Sequence, residues 1–177
     1  MSTHDQFQRK SRQTALCGLL AALSVAIMSL GSVIPLATVA APMLAMICLL
    51  PVVDSYGAGP SLLVYAAVSV LGLLLCADKE AACIYLFLGW YPALRPRLAR
   101  LPGIPGAAVK CGLYTLAMAA MYALLLFLFR LEAVAAEFEE YSVWMLGGLL
   151  VMGNITFLLF DRALATLTAA FRRRKRR

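Results

Sequence analysis

Side chains able to do chemistry are few in this chain, and they do not cluster. There is one histidine, His4, and there are five cysteines, at positions 17, 48, 76, 83 and 111. A metal site needs several ligands converging within bonding distance. The cysteines stand singly, with no CxxC pair, and read as small apolar residues of apolar helices. Cys76 and Cys83 bracket one loop and are placed to approach each other. A single histidine near the start leaves no Ser-His-Asp set, no HExxH occurs, and no carboxylate pair sits inside an apolar segment. The expectation is therefore no catalytic residue, no metal and no cofactor. Tyr56-Gly57-Ala58-Gly59-Pro60 has the start of a phosphate loop, but Leu62 occupies its third glycine position. It reads instead as a short turn, with Asp54 placed to cap the helix that follows. No GxxxxGK[ST] exists in the chain, so any active transport draws energy from a partner.

Polar residues inside apolar surroundings carry more information. Gly147, Asn154 and Asp161 recur every seven residues, which keeps them on one helical face. An unpaired amide is costly in hydrocarbon, so Asn154 is expected to face the interior of a bundle, either as an interhelical hydrogen bond or as part of a site. Asp161 has two candidate cations, Lys110 and its neighbour Arg162. Lys79, Glu80, Tyr141 and Trp144, set above Asn154, combine charged rim groups with stacking surfaces, the ingredients of a small polar-ligand pocket. Gly18, Ala22 and Ala26 recur every four residues, a spacing that lets another helix approach closely in lipid.

The elements that must hold these residues follow from composition. The chain has 177 residues, 63% hydrophobic and 14% charged, with a mean hydropathy of +0.85. Ordinary soluble domains are nearer 45–50% apolar and about 25% charged, which makes a soluble enzyme, a disordered tail or a disulfide scaffold poor descriptions. Gln13 to Val53 is a run of 41 residues without Asp, Glu, Lys, Arg or His, and shorter uncharged runs cover 55–77, 111–129 and 141–160. A bilayer core takes about 20 helical residues. The long run therefore holds two spans, broken at Gly31, Ser32 and Pro35. Spans are expected near 14–34, 36–53, 60–76, 79–94, 106–130 and 142–168, within one transmembrane domain over 14–171. A basic leader (1–13) and a basic tail (172–177) flank it. The first span is too long for a cleaved signal sequence.

Charge sets the topology. Lys and Arg favour the cytoplasmic side of short loops. Placing both termini and the 95–110 loop inside leaves only Lys79 and Arg130 of the sixteen Lys and Arg outside. Both termini inside require an even number of crossings, so the short segment 79–94 counts as a span and the total is six. The tail Arg172-Arg-Arg-Lys-Arg-Arg177 directly follows a span, which favours anionic lipid headgroups over nucleic acid as its partner.

Six short spans, the alanine-spaced helix from Thr14 to Ala26 and the turn from Tyr56 to Ser61 together resemble the substrate-binding S component of bacterial energy-coupling factor vitamin transporters. The segments Asp78 to Pro92 and Gly153 to Asp161 are also similar to an uncharacterised six-pass membrane family of Gram-positive bacteria. The first resemblance implies an all-α polytopic protein of the cytoplasmic membrane that captures a small solute in its outer half. An energising T component and an ATPase pair would be its partners. Gly18, Ala22 and Ala26 would be the docking surface, and Lys79, Glu80, Trp144 and Asn154 the solute site. The alternative function is a scaffold protein of cell-envelope assembly, similar in size and span count to the rod-shape-determining membrane proteins.

Overall fold

The computed structural model describes residues 3–31, 37–98, 103–124 and 143–175, all of them helical or in the short joints between helices. The helices in chain order are α1 (Thr3–Gly31), α2 (Ala37–Ile47), α3 (Leu50–Tyr56), α4 (Ala58–Leu75), α5 (Lys79–Leu88), α6 (Tyr91–Leu98), α7 (Gly103–Leu124) and α8 (Val143–Lys175). Five stretches are long and apolar enough to cross a bilayer: 10–31, 37–56, 58–75, 105–124 and 147–171. Such a chain is helical because a backbone in hydrocarbon must satisfy its amides within the segment. Large apolar side chains, Leu30, Leu63 and Leu74 among them, point outward from these helices, as suits a lipid surround.

Several boundaries differ from the sequence expectation. The leader is helical from Thr3 onward, and α8 runs through the basic residues to Lys175. The second span is two helices, α2 and α3, joined at Cys48–Leu49 ahead of Pro51, and it extends to Tyr56. Gly57 caps the end of α3 and begins α4 at φ +83°, a conformation that glycine adopts without strain. No side chain caps α4, so Asp54, which lies within α3, does not perform the capping expected of it. Of the break residues, Ser32 and Pro35 lie outside the described residues, as does Tyr141.

Two compact units are present, Met1–Pro96 with Thr168–Arg177, and Arg97–Leu167. In the first unit α1 packs on α2 and α4, and both of these pack on α5. Ser24, Met28 and Gly31 form the inner face of α1. Ser24 Oγ bonds to the carbonyls of Leu20 (2.8 Å) and Ala45 (3.3 Å). A Cβ on Gly31 would overlap that of Ala41, and one on Gly72 would lie 3.2 Å from Met28 Cε. Hydrophobicity gives no preference between neighbouring helix and lipid, so such close approach is what holds the helices together.

The segment 79–94, too short to read clearly, contributes the most interior helix of this unit. Ala81 to Tyr85 are all buried in succession, and Leu88, Tyr91 and Ala93 follow. α5 and α6 are each shorter than a bilayer span, and they are separated at Gly89–Trp90, where Trp90 Nε1 donates to Phe87 O at 2.7 Å. Buried all round from Ala81 to Tyr85, α5 can carry small residues and a tyrosine where a lipid-facing span would be uniformly apolar.

The second unit is an antiparallel pair. Lys110, Tyr114 and Thr115 on α7 meet Asp161, Phe157 and Asn154 on α8. Numbering rises along one helix as it falls along the other. Tyr114 stacks on Phe157, with ring centroids 5.0 Å apart and planes at 26°. Its hydroxyl lies 2.5 Å from where a Cβ on Gly153 would sit.

Candidate functional site

Lys79 begins α5 immediately after the joint that ends α4. Its ammonium donates to the carbonyls of Leu73 (2.8 Å) and Cys76 (2.9 Å). Leu73 lies in the last turn of α4 and Cys76 is its C-cap, where carbonyls lack partners within their own helix. Asp78 N-caps α5, accepting from Ala81 N at 3.1 Å. The turn between α4 and α5 is therefore a double helix cap, and the Lys79 ammonium is engaged in it. Glu80 is partly buried in the first turn of α5 and has an interaction of its own.

Tyr85 and Tyr91 are interior, at 0% and 1% exposure. Residues 81 to 85 all lie against protein, which leaves no lipid face at that position. Opposite them on α4 stand Ser61, Tyr65 and Ser69, spaced by four residues. Tyr65 donates its hydroxyl to Leu86 O at 2.5 Å, and its ring packs on Gly89 and tilts against Tyr85. The hydroxyls of Ser61, Ser69 and Tyr85 are buried without a hydrogen-bond partner among the described residues. The sequence reading missed this polar seam, although its four-residue spacing was visible in the run from Ser61 to Ser69.

In the second unit Asn154 donates to Thr115 Oγ1 at 3.2 Å and to Leu150 O at 2.9 Å. Its Oδ1 is buried and has no partner among the described residues. Of Asp161's two candidate cations, Lys110 lies 2.7 Å from its carboxylate. Gly147 meets nothing within 4 Å of a built Cβ, and Trp144 is 91% exposed. Among the described residues, Asn154 and Asp161 are the members of the seven-residue stripe that meet α7. Of the four residues expected to form a solute site, Lys79 and Glu80 belong to the first unit, Trp144 and Asn154 to the second.

On α1 the three small residues Gly18, Ala22 and Ala26 are all exposed, and no atom comes within 4 Å of a Cβ built on Gly18. Cys76 and Cys83 are free thiols, and Cys76 Sγ lies 3.8 Å from Ser29 Oγ. A pocket of about 410 Å³ opens between the first turns of α7 and the facing side of α8, lined by Gly106, Ala107, Lys110, Leu158, Asp161 and Arg162 among others. No family model, curated protein or solved structure matches the chain.

Proposed function

We propose that the chain is an integral protein of the bacterial cytoplasmic membrane, crossing it six times with both termini inside. In this reading α5 and α6 together make the fourth crossing. The protein serves, without catalysis of its own, as a small-solute-binding subunit that takes its energy from a partner. One observation carries the partner part of this reading. α1 packs through Ser24, Met28 and Gly31, and leaves Gly18, Ala22 and Ala26 uncovered beside the exposed Leu19 and Leu23. A groove of small residues flanked by leucines suits a second membrane protein's helix, which can approach closely there. Such a partner, with its ATPase pair, would supply what a chain lacking a nucleotide-binding motif cannot.

The test is native mass spectrometry of the protein purified in mild detergent from its own membranes. A retained small molecule together with a copurifying ATPase pair is expected, and Ala22→Trp should abolish the copurification without lowering the melting temperature. Recovery of the chain alone, with neither solute nor partner, would overturn the transport reading. Reporter fusions after Asp78, Arg100 and Ala135 test the topology separately, and an inside signal at 78 or 135 refutes six crossings. A second reading, a scaffold protein of cell-envelope assembly, is favoured by one feature: Lys79 already caps α4. Copurification of a polymerase or a cytoskeletal protein would select it.

A further inference from the structure

The pocket of the second unit has an uneven chemical character. On one side stand Ile155, Leu158 and Leu159 of α8, with Ile155 and Leu159 exposed. Across from them Gly106 and Ala107 in the opening turns of α7 have no bulk, which is what leaves the space open. At one end lie three charged groups. Lys110 and Asp161 neutralise one another at 2.7 Å. The net charge there is that of Arg162, an exposed guanidinium with no ion-pair partner among the described residues. Arg162 lies two residues beyond the uncharged run 141–160 and inside the stretch 147–171, ten residues before the basic run that starts at Arg172. A guanidinium inside a span is costly unless it meets an anion, which its long stem reaches by extending toward the headgroups.

We infer that this pocket binds an acidic glycerophospholipid, with its phosphate against Arg162 and an acyl chain along Ile155 and Leu159. Charge complementarity chooses the headgroup, since an unbalanced cation beside a neutralised pair favours an anion over a zwitterion. The apolar wall chooses a lipid over a free anion, because a dissolved phosphate gains nothing from three aliphatic side chains. The volume of about 410 Å³ is within the range of small-ligand pockets; it holds a headgroup while the chain lies along the open wall. Guanidinium, with its fork of donors, suits a phosphate better than an ammonium would. The inference rests on the membrane embedding proposed above and not on solute transport.

The full-length protein, purified in detergent, is offered phosphatidylglycerol and phosphatidylcholine of identical acyl chains in equal amounts, and bound lipid is read by native mass spectrometry. Preferential retention of phosphatidylglycerol is expected. Arg162→Gln should reduce that preference about fivefold, the effect of removing one cation at a headgroup. Leu159→Trp, on an exposed wall position, should reduce retention of both lipids while the melting temperature holds. Excess glycerol phosphate should not displace the lipid. Undiminished preference in Arg162→Gln overturns the site, and so does full displacement by glycerol phosphate, which would make it a site for a free anion. Recovery of the chain from the aqueous fraction without detergent would instead overturn the membrane reading itself, a different result from loss of lipid selectivity in a detergent-requiring protein.

Discussion

The ion pair between Lys110 and Asp161 gives an asymmetric prediction. Their side chains retain 16% and 10% of their exposure, with nitrogen and oxygen 2.7 Å apart. Lys110→Met leaves a short carboxylate that cannot reach water without moving α8. Removing one partner of a buried pair costs about 3–5 kcal/mol, and the residual exposure of Asp161 places this variant near 3 kcal/mol. Asp161→Asn leaves a long ammonium that can extend toward the headgroups, and an amide oxygen that still accepts, so its cost should be only about 1 kcal/mol. Replacing both partners by apolar residues of similar volume, Lys110→Met with Asp161→Leu, removes the desolvation penalty along with the attraction and should come close to wild type. Thermal unfolding of the detergent-solubilised variants, followed by loss of the monodisperse species, should rank them with the double variant beside wild type, then Asp161→Asn, then Lys110→Met. A double variant as damaged as the sum of the two singles would falsify the account, since additivity would mean that the two side chains are not coupled. An Asp161→Asn protein weaker than Lys110→Met would refute the reach argument.

Three further outcomes use the same melting assay. Lys79→Met removes two hydrogen bonds at 2.8 and 2.9 Å from the end of α4 and should cost about 1–3 kcal/mol; an unchanged melt would mean that water replaces the cap. Gly153→Ala places a Cβ 2.5 Å from the Tyr114 hydroxyl and should cost about 1–3 kcal/mol. Adding Tyr114→Phe should recover most of that loss, and failure to do so would locate the strain elsewhere. Trp144→Ala, at a residue 91% exposed, should stay within about 0.5 kcal/mol of wild type.

Class and element positions were readable because they depend on long uncharged runs, and a span of hydrocarbon needs little else. The run 55–77 coincides closely with α4 for that reason, whereas α7 begins eight residues ahead of the run 111–129 and carries Lys110. Side-chain roles were less readable, because the same residue type serves different ends at different helical phases. Lys79 beside acidic and aromatic residues resembles a ligand contact in sequence, yet its side chain folds back onto carbonyls three and six residues earlier. Tyr85 resembles a belt aromatic until α5 is seen to be buried all round from Ala81 to Tyr85. The partner of Asn154 is Thr115, 39 positions away; sequence periodicity gives the face that needs a partner but not the register that supplies it. Asp161 was an easier case, since only two cations stood within reach of its depth.

The cations beside the apolar helices divide by what surrounds them. An ammonium among apolar helices must find oxygen, and two different solutions are present: Lys79 takes the open end of a neighbouring helix, Lys110 a carboxylate on α8. Each satisfies the charge within the protein and so leaves nothing for an external anion. Arg162 adjoins that carboxylate in sequence but does not compete for it, because consecutive helical residues point about 100° apart. Its charge is therefore left to the pocket that it lines. If Arg162 were simply one more interfacial cation, replacing any residue of the basic tail should weaken lipid retention as much as replacing Arg162 does. A selective loss at Arg162, matched by Leu159→Trp on the opposite chemical face of the same pocket, is what a defined lipid site requires.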